Sequence, residues 1–364
     1  MRILFLSDRL SERGGADQHL LQVMRWAAEA GHSVTLACGR IDERVGLDSG
    51  IEVVRVRGLA TAVASAARLG RLSPLLGACD VVHVQNVMNP VALEMAASTG
   101  RSVVTVQDHR VFCPAAGKTL PDGSRCTEGP ANDICSLCLP EGSYRRRTLD
   151  LTRARLEALH GSRLVVLSQW MADELAVVGH PGAEIIPPWV EIGAEGAPAG
   201  SHLLLGGRLV HHKGVIDALK AWREAGVSLE LRVAGEGPLE SQLEDVKHLG
   251  WLSQSVLRRE LRAARALLFP AFWQEPFGIL GVQALAEGTP VIVAESGGAG
   301  EWSDVGCVRA PAGDIGAMAE AIVRIAGDPD DARRIGEAGR RMVAGRFGKR
   351  PIERRLRTLY SSIA

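Results

Sequence analysis

Short runs of Val, Leu and Ile alternate with longer amphipathic segments along the 364 residues of this chain. The runs of the first half are ILFLS, SVTLACG, EVVRVRG, DVVHVQN, SVVTVQD and RLVVLS, and those of the second half are HLLLGGR, LELRVAG, RALLFPA and PVIVAES. Because these runs are apolar at successive positions, both faces of each predicted strand must be buried. This is typical of parallel strands covered by helices on both sides, so the pattern predicts an α/β fold.

The segment that follows the first run predicts an amphipathic helix. Its apolar residues recur at helical spacing and form one stripe, made of Leu20, Val23, Met24, Ala27 and Ala28. Gly31 follows the predicted end of this helix, at the position where a glycine in the left-handed conformation terminates many helices.

One stretch without periodicity divides the chain. Residues 187–202, PPWVEIGAEGAPAGSH, are rich in Pro, Gly and Ala, and we interpret them as an inter-domain linker. We predict two doubly wound, Rossmann-like domains over residues 1–190 and 200–345, with a C-terminal helix over residues 346–364 that crosses back to the first domain. Two such domains are expected to face each other across a cleft, because open α/β sheets bind ligands beyond the carboxyl ends of their strands.

The net charge and the hydropathy of the sequence give no indication of nucleic-acid binding, of a membrane span or of secretion. The 42 basic and 42 acidic residues cancel, so no chain-wide field for nucleic acid is expected. No apolar run approaches the length that spans a bilayer, and the N-terminal run is too short for a secretory signal. The sequence therefore predicts a cytoplasmic protein. No sequence feature indicates an oligomeric state.

Two segments of the second half are suited to phosphate. In GGRLVHHKG, Gly207 allows the backbone to approach a ligand, and Arg208 and Lys213 are cations placed after a strand, as a diphosphate requires. In FWQEPFGILGVQALAEG, a helix predicted to begin near Gly278 offers free N–H groups to an anion. The alternative for the first segment is a solvated turn with two surface charges.

Glu275 precedes this predicted helix, where its carboxylate would accept hydrogen bonds from a polyol. Its alternative role is a carboxylate stabilised by the helix dipole. Pro276 is expected at the start of the helix, where its missing N–H costs nothing. Trp273 and Phe277 flank Glu275, either as walls of a pocket or as packing residues.

The segment VAGEGPLE does not support a dinucleotide site. Gly235 and Gly237 follow a predicted strand, but Glu240 stands where the third glycine of G-x-G-x-x-G belongs.

Together and in this order, these segments resemble glycosyltransferase family 4, and SERGGADQHLLQVMRWAAEAGHSVTL is similar to the N-terminal glycine loop and first helix of that family. The resemblance implies a GT-B fold and a retaining glycosyl- or hexosyltransferase. Such an enzyme moves a sugar from a nucleotide diphosphate sugar to a hydroxyl acceptor, which is a glycan, a lipid-linked molecule or a small molecule. It needs no metal for the chemistry.

The resemblance also implies the site residues. Arg208 and Lys213 would hold the donor diphosphate, and Glu275 would contact the hydroxyls of the donor sugar. The loop at Gly14 and Gly15 would close over the phosphates. The implied donor-binding set is completed by Gly207, Gly237, Phe277, Gly278, Ile279, Leu280 and Gln283.

Two positions depart from the family pattern. Gln283 replaces a glutamate that receives the nucleotide ribose, and the charge assistance lost in such a bond is worth about 1 kcal/mol. Gln107 replaces a histidine ahead of Asp108. Gln107 and Asp108 both belong to the catalytic set that the resemblance implies. An alternative function is therefore a catalytically weak homologue that binds carbohydrate or nucleotide sugar.

Four of the seven cysteines lie within residues 113–138, at Cys113, Cys126, Cys135 and Cys138. The order C-x₁₂-C-x₈-C-x₂-C supplies four soft ligands in a loop with few apolar residues, and it predicts a structural zinc site. An iron–sulfur cluster, a disulfide between Cys135 and Cys138, and four unmetallated thiols are the alternatives. A subset of family 4 has similar clustered cysteines after the same strand. A zinc-stabilised protein that recruits a partner is the third functional alternative.

The stretch SYRRRTLDLTRARLEALHGSR predicts a basic helix. It is interpreted either as a solvated face or as a contact with an anionic acceptor or the cytoplasmic face of a membrane.

Overall fold

A computed structural model describes residues 1–42, 45–47, 50–115, 117–196 and 200–363. The chain divides into two compact units, of which one is Met1–Pro187 with Glu353–Ala364 and the other is Pro188–Ile352. Residues 197–199 of the predicted linker, residue 116 of the cysteine segment and residue 364 lie outside the described residues.

The sheet of the first unit is parallel throughout its described strands. These strands are β1 (Arg2–Leu10), β2 (Ser33–Ile41), β3 (Ile51–Arg55), β4 (Val81–Gln85), β5 (Ser102–Val106), β6 (Arg163–Val166) and β7 (Glu184–Ile185). Their order is β3-β2-β1-β4-β5-β6-β7. The chain thus winds outward from β1 in one direction and from β4 in the other, which is the doubly wound arrangement.

The helices of the first unit are α1 (Gly15–Glu29), α2 (Leu72–Ala78), α3 (Pro90–Ala97), α4 (Asn132–Cys135), α5 (Gly142–Ala158) and α6 (Gln169–Val177). The last helix of the chain, α12 (Lys349–Ser361), lies mostly in this unit. All five residues of β4 and of β5 are buried, as expected for strands with both faces covered.

The second unit repeats this design. Its strands are β8 (His202–Gly206), β9 (Glu230–Ala234), β10 (Lys247–Gly250), β11 (Ala264–Phe269), β12 (Val291–Ala294) and β13 (Cys307–Ala310). They are parallel and run in the order β10-β9-β8-β11-β12-β13. Its helices are α7 (Val215–Ala225), α8 (Gln254–Ala263), α9 (Ile279–Ala286), α10 (Ile315–Gly327) and α11 (Pro329–Arg346).

The α/β prediction is confirmed, because each of the ten apolar runs contributes a strand to one of two parallel sheets. The predicted first helix is confirmed as α1, and Gly31 has the left-handed φ of 82° just beyond its end. Three short strands, β7, β10 and β13, carry no such apolar run and were not predicted. The helix predicted to begin near Gly278 is confirmed as α9, which Gly278 caps, but Pro276 precedes this helix and does not start it.

A buried polar cluster ties the C-terminal helix to the sheet of the first unit. The hydroxyl of Tyr360 on α12 shares a 2.6 Å hydrogen bond with Nδ1 of His83 on β4. The other ring nitrogen of His83 lies 2.7 Å from the hydroxyl of Thr105 on β5. Burial lowers the pKa of His83 to about 3, so its neutral form is the one that joins the helix to the sheet.

No helix in the described part of the chain is both long and apolar enough to cross a membrane.

The His83 cluster predicts a loss of stability in mild acid. Between its ordinary pKa of about 6.5 and its folded value of about 3, the unfolded chain binds a proton that the folded chain does not. The free energy of unfolding should therefore fall with decreasing pH, by about 1.4 kcal/mol per pH unit for this group. Replacing His83 with Gln should remove this contribution to the slope, as measured by urea unfolding across that pH range.

Thr105→Val is the matched control. It removes a hydrogen-bond partner of the ring without removing the titrating group, so it should lower stability by about 1 kcal/mol and leave the slope in place. An unchanged slope in His83→Gln would contradict the assignment.

Candidate functional site

The candidate site lies where the winding direction of the second sheet reverses. Strands β8 and β11 are neighbours, and the chain proceeds from them toward opposite edges of the sheet. The loops that follow these two strands, residues 207–214 and 270–278, therefore leave the same edge side by side. In open α/β sheets this is the position of the ligand crevice.

An ion pair joins the two loops. Lys213 ends a 3₁₀ turn after β8, and its Nζ donates to Oε1 of Glu275 in the loop after β11. The side chain of Glu275 is only 5% exposed and that of Lys213 is 23% exposed. A carboxylate this buried needs a charged or hydrogen-bonding partner. The structure thus places the predicted diphosphate cation against the predicted sugar-binding carboxylate.

Trp273 takes part in the same contact. Its indole N–H donates to Oε1 of Glu275 at 2.7 Å, and Nζ of Lys213 lies 4.8 Å from the centre of its ring. Within the described residues, Oε2 of Glu275 accepts no hydrogen bond from another side chain. Sequence analysis interpreted Trp273 either as a wall of a pocket or as a packing residue. In the structure its side chain contacts Glu275 and Lys213 at the candidate site.

The loop after β8 carries positive charge. The pKa of His212 is lowered to about 4, first by burial and then by the charges of Arg208 and Lys213. His212 is therefore neutral near pH 7, and the charge of this loop comes from its other basic residues. Arg208 is exposed.

The amino end of α9 adjoins Glu275 in sequence. Gly278 caps this helix with a left-handed φ of 79°, and a Cβ at this position would lie 2.9 Å from the ring of Phe269. The first backbone N–H groups of a helix, here those near Ile279 and Leu280, lack partners within the helix and favour an anion. Phe277 is buried and packs on Phe347, so of its two interpretations the structure supports packing.

Glycines bring the loops after β8 and β9 together. A Cβ on Gly235 would overlap the carbonyl oxygen of Gly207, and one on Gly237 would lie 2.5 Å from that of Leu209. The N–H of Gly237 donates to the side chain of Glu240 at 2.7 Å. The glycine pair thus allows a close approach of the two backbones, and Glu240 binds the backbone of Gly237.

Gln283 lies on α9 and is paired with a residue of α8. Its Nε2 donates to Oε1 of Gln254 at 2.9 Å. Its own carbonyl oxygen is left as an acceptor. Sequence reasoning missed Gln254, because no local pattern links residues on two different helices.

The remaining predicted site residues belong to the first unit. Gly14 caps α1 and Gly15 is its first residue. Asp17 in the first turn is 1% exposed and pairs with Arg9 at 2.8 Å. Burial raises the pKa of Asp17 above its usual value, in spite of the hydrogen bonds from Arg9.

Gln107 and Asp108 follow β5. Gln107 is buried, and its Nε2 donates to Oε1 of Gln85 at 2.6 Å. Asp108 caps the next turn and forms a 2.6 Å ion pair with Arg110. Burial alone would raise the pKa of Asp108, but the hydrogen bonds and charge of Arg110 outweigh it and hold the pKa below its usual value.

Comparison with known proteins identifies the family. Residues 14–189 match the family model described as "Glycosyl transferase 4-like domain", and residues 201–342 match "Glycosyl transferases group 1". The first match lies in the first unit except for its last two residues, and the second match lies in the second unit. Together they cover well over half of the chain. The chain belongs to the GT4-type glycosyltransferases.

Two curated relatives illustrate the extent of the similarity. Glycogen synthase of Mycobacterium tuberculosis is 30% identical to this chain over 209 residues, which cover 50% of each chain. The GDP-mannose-dependent monoacylated alpha-(1-6)-phosphatidylinositol monomannoside mannosyltransferase of Corynebacterium glutamicum is 30% identical over 173 residues, which cover 43% of this chain and 45% of the relative. The chain spans about half the length of these relatives.

Solved structures confirm the GT-B fold class. The crystal structure of Anabaena HepE in complex with UDP and glucose matches with a TM-score of 0.71 over 100% of both chains. The two sequences are 17% identical, so this likeness concerns the fold.

Three of the four clustered cysteines, Cys113, Cys126 and Cys138, contact the backbone of residues 118–119. The N–H of Lys118 donates to Sγ of Cys113 at 3.4 Å, and the thiol of Cys138 lies 3.9 Å from the carbonyl oxygen of Thr119. The N–H of Cys126 donates to the carbonyl of Lys118 at 2.8 Å. Cys135 and Cys138 lie on one turn.

This arrangement does not support the predicted zinc site. The described residues include all four cysteines, and among them no three Cys, His, Asp or Glu side chains are placed so that they could hold a metal ion. Burial and the neighbouring thiols raise the pKa values of Cys135 and Cys138. All four cysteines are free, and the iron–sulfur and disulfide alternatives lack support as well.

A buried ion pair fixes the cysteine segment instead. Nζ of Lys118 lies 2.9 Å from Oε2 of Glu174 on α6, and the two side chains are 3% and 2% exposed. Arg125, from the same segment, binds Oε1 of Glu174 at 2.8 Å. Sequence reasoning missed this anchor, because a glutamate on an amphipathic helix carries no signal of a buried partner.

Removing Glu174 should therefore destabilise the first unit. Glu174→Ala leaves the ammonium of Lys118 buried without its carboxylate, which should cost about 3–5 kcal/mol. Chemical denaturation measures this loss.

Asp150→Ala is the matched control, because it deletes the carboxylate of an exposed pair with Arg153 and should cost at most about 1 kcal/mol. Equal losses in the two variants would show that the buried pair does not anchor the segment.

Proposed function

We propose that this chain transfers a sugar from a nucleotide diphosphate sugar to a hydroxyl acceptor, with retention of the anomeric configuration. The observation that carries the proposal is the contact between Lys213 and Glu275 beside the amino end of α9. A cation, a helix N-terminus and a carboxylate at one switch point suit a ligand that has both phosphates and hydroxyls.

In this proposal the diphosphate binds Lys213 and Arg208, with the first amides of α9 completing its site. The bond from the sugar to the diphosphate breaks in the reaction, and negative charge develops on the departing oxygen. Fixed cations and amides at that point lower the barrier, because they are already oriented when the charge appears.

Glu275 binds the donor sugar. Its Oε2, which accepts no hydrogen bond from another described side chain, is the acceptor for a sugar hydroxyl. A site built to bind a hydroxyl rejects analogues that lack it, because the buried carboxylate is then left with an unmade bond.

The acceptor hydroxyl attacks the anomeric carbon from the face that the diphosphate leaves. Its proton passes to the departing phosphate oxygen, so the protein need not supply a second carboxylate as a base. This route gives retention, and NMR of the product anomer tests it.

Two donors deserve priority in a screen. The matched HepE structure contains UDP and glucose, and the C. glutamicum relative is described as GDP-mannose-dependent. Purified protein should therefore be tested with UDP-glucose and with GDP-mannose. Slow hydrolysis of the donor without an acceptor supports an enzyme.

One observation favours a second candidate function. Gln107 has no titratable group, and its amide N–H is already bonded to Gln85 within the first unit. A homologue that binds nucleotide sugar with weak catalysis would bind the donor without hydrolysis and without transfer to any acceptor.

Lys213→Ala should lower the rate of transfer by about 10²–10³, the usual loss for one fixed group that stabilises developing charge. Glu275→Ala should also lower the rate, because it removes the acceptor for the sugar hydroxyl. Initial rates of donor turnover measure the effect, and circular dichroism checks that each variant is folded. Lys220→Ala, an exposed lysine on α7, is the matched control and should keep the wild-type rate. Full activity in both site variants contradicts the assignment.

Gln283→Glu should strengthen binding of the nucleotide. A carboxylate gives the ribose hydroxyls a charge-assisted acceptor, so the Kd for UDP or GDP should fall about 5-fold, which corresponds to about 1 kcal/mol. Calorimetry measures this change. Gln242→Glu adds the same charge at an exposed position of the second unit and should have no effect, whereas equal effects would place the ribose elsewhere.

A further inference from the structure

We propose that Trp273 is a positioning residue, which orients Glu275 toward the donor sugar and thereby sets the preference for a nucleotide sugar over the bare nucleotide diphosphate. This inference rests on the proposed function, and it assigns a role to a side chain outside the implied site set.

The orientation of Glu275 depends on which oxygen is held. The terminal torsion of a glutamate is broad and roughly two-fold, so a carboxylate without fixed donors rotates freely. Trp273 N–H and Lys213 Nζ both donate to Oε1. Two donors on one oxygen stop this rotation and present Oε2 to the ligand.

Trp273 is held through both its backbone and its indole. The hydroxyl of Ser296 donates to the carbonyl of Trp273 at 2.6 Å. The ring of His212 lies 4.8 Å from the indole, centre to centre, and the ammonium of Lys213 lies over its face. An indole N–H is a donor only, so its contact with Glu275 cannot reverse.

Donor binding makes Trp273 more important. In the proposed complex the diphosphate attracts the ammonium of Lys213, which weakens its hold on Glu275. Trp273 then remains as the fixed donor on Oε1. Loss of the indole N–H should therefore weaken contacts to the sugar and spare contacts to the phosphates.

Trp273→Phe tests this, because it keeps an aromatic face for Lys213 and removes the N–H. Calorimetry should be run with UDP and UDP-glucose, or with GDP and GDP-mannose if wild type binds that pair. We expect the Kd for the bare diphosphate to stay within about 2-fold and the Kd for the nucleotide sugar to rise about 10-fold, as for a lost hydrogen bond to a charged group. Trp273→His, which offers a ring N–H, should recover part of the loss.

Trp222→Phe is the matched control. It removes an indole N–H that donates to the carbonyl of Leu229 at 3.0 Å in the same unit, and it should change neither Kd. In a Glu275→Gln background, Trp273→Phe should have little further effect, because both changes act through the same carboxylate.

The outcomes separate the two proposals. If wild type binds the nucleotide sugar and Trp273→Phe leaves the ratio of the two Kd values unchanged, the role of Trp273 is overturned and the proposed function stands. Equal weakening of both ligands, or a full further effect in the Glu275→Gln background, also overturns it. If wild type binds neither nucleotides nor nucleotide sugars, the proposed function itself fails.

Discussion

The ion pair between Lys213 and Glu275 is the contact on which the candidate site depends. It exists because β8 and β11 are neighbours in a parallel sheet, so that residues 62 positions apart in sequence leave the same edge together. Neither side chain would be stable alone in this half-buried place, since an unpaired buried charge is costly. The fold thus stores a cation and a carboxylate side by side, ready to exchange their mutual contact for one with a ligand.

Close backbone packing holds this arrangement in place. Gly278 turns the chain into α9 in a conformation that a side chain would strain, and Gly235 lets the loop after β9 lie against the loop after β8. These constraints fix the positions of the amides and of Lys213 before any ligand arrives. Catalysis by electrostatic stabilisation requires groups that are oriented in this way before the reaction begins.

Sequence periodicity predicted ten strands because buried parallel strands need continuous apolar runs, whereas β10 is partly exposed and carries no such signal. The motifs predicted Lys213 and Glu275, but not that they contact each other or that Trp273 shares the contact, because these pairs come from tertiary packing. Cysteine spacing predicted a metal, while the segment is anchored by Lys118 and Glu174. The spacing of cysteines along an irregular loop does not determine where their side chains lie, because such a loop has no regular backbone geometry.

The most direct test of the account is a crystal structure of the chain with whichever of UDP-glucose and GDP-mannose binds more tightly. We expect the diphosphate about 3 Å from Nζ of Lys213 and from the first amides of α9, with a sugar hydroxyl at the same distance from Oε2 of Glu275. A nucleotide sugar bound elsewhere, with the contact between Lys213 and Glu275 unaltered, would contradict the account.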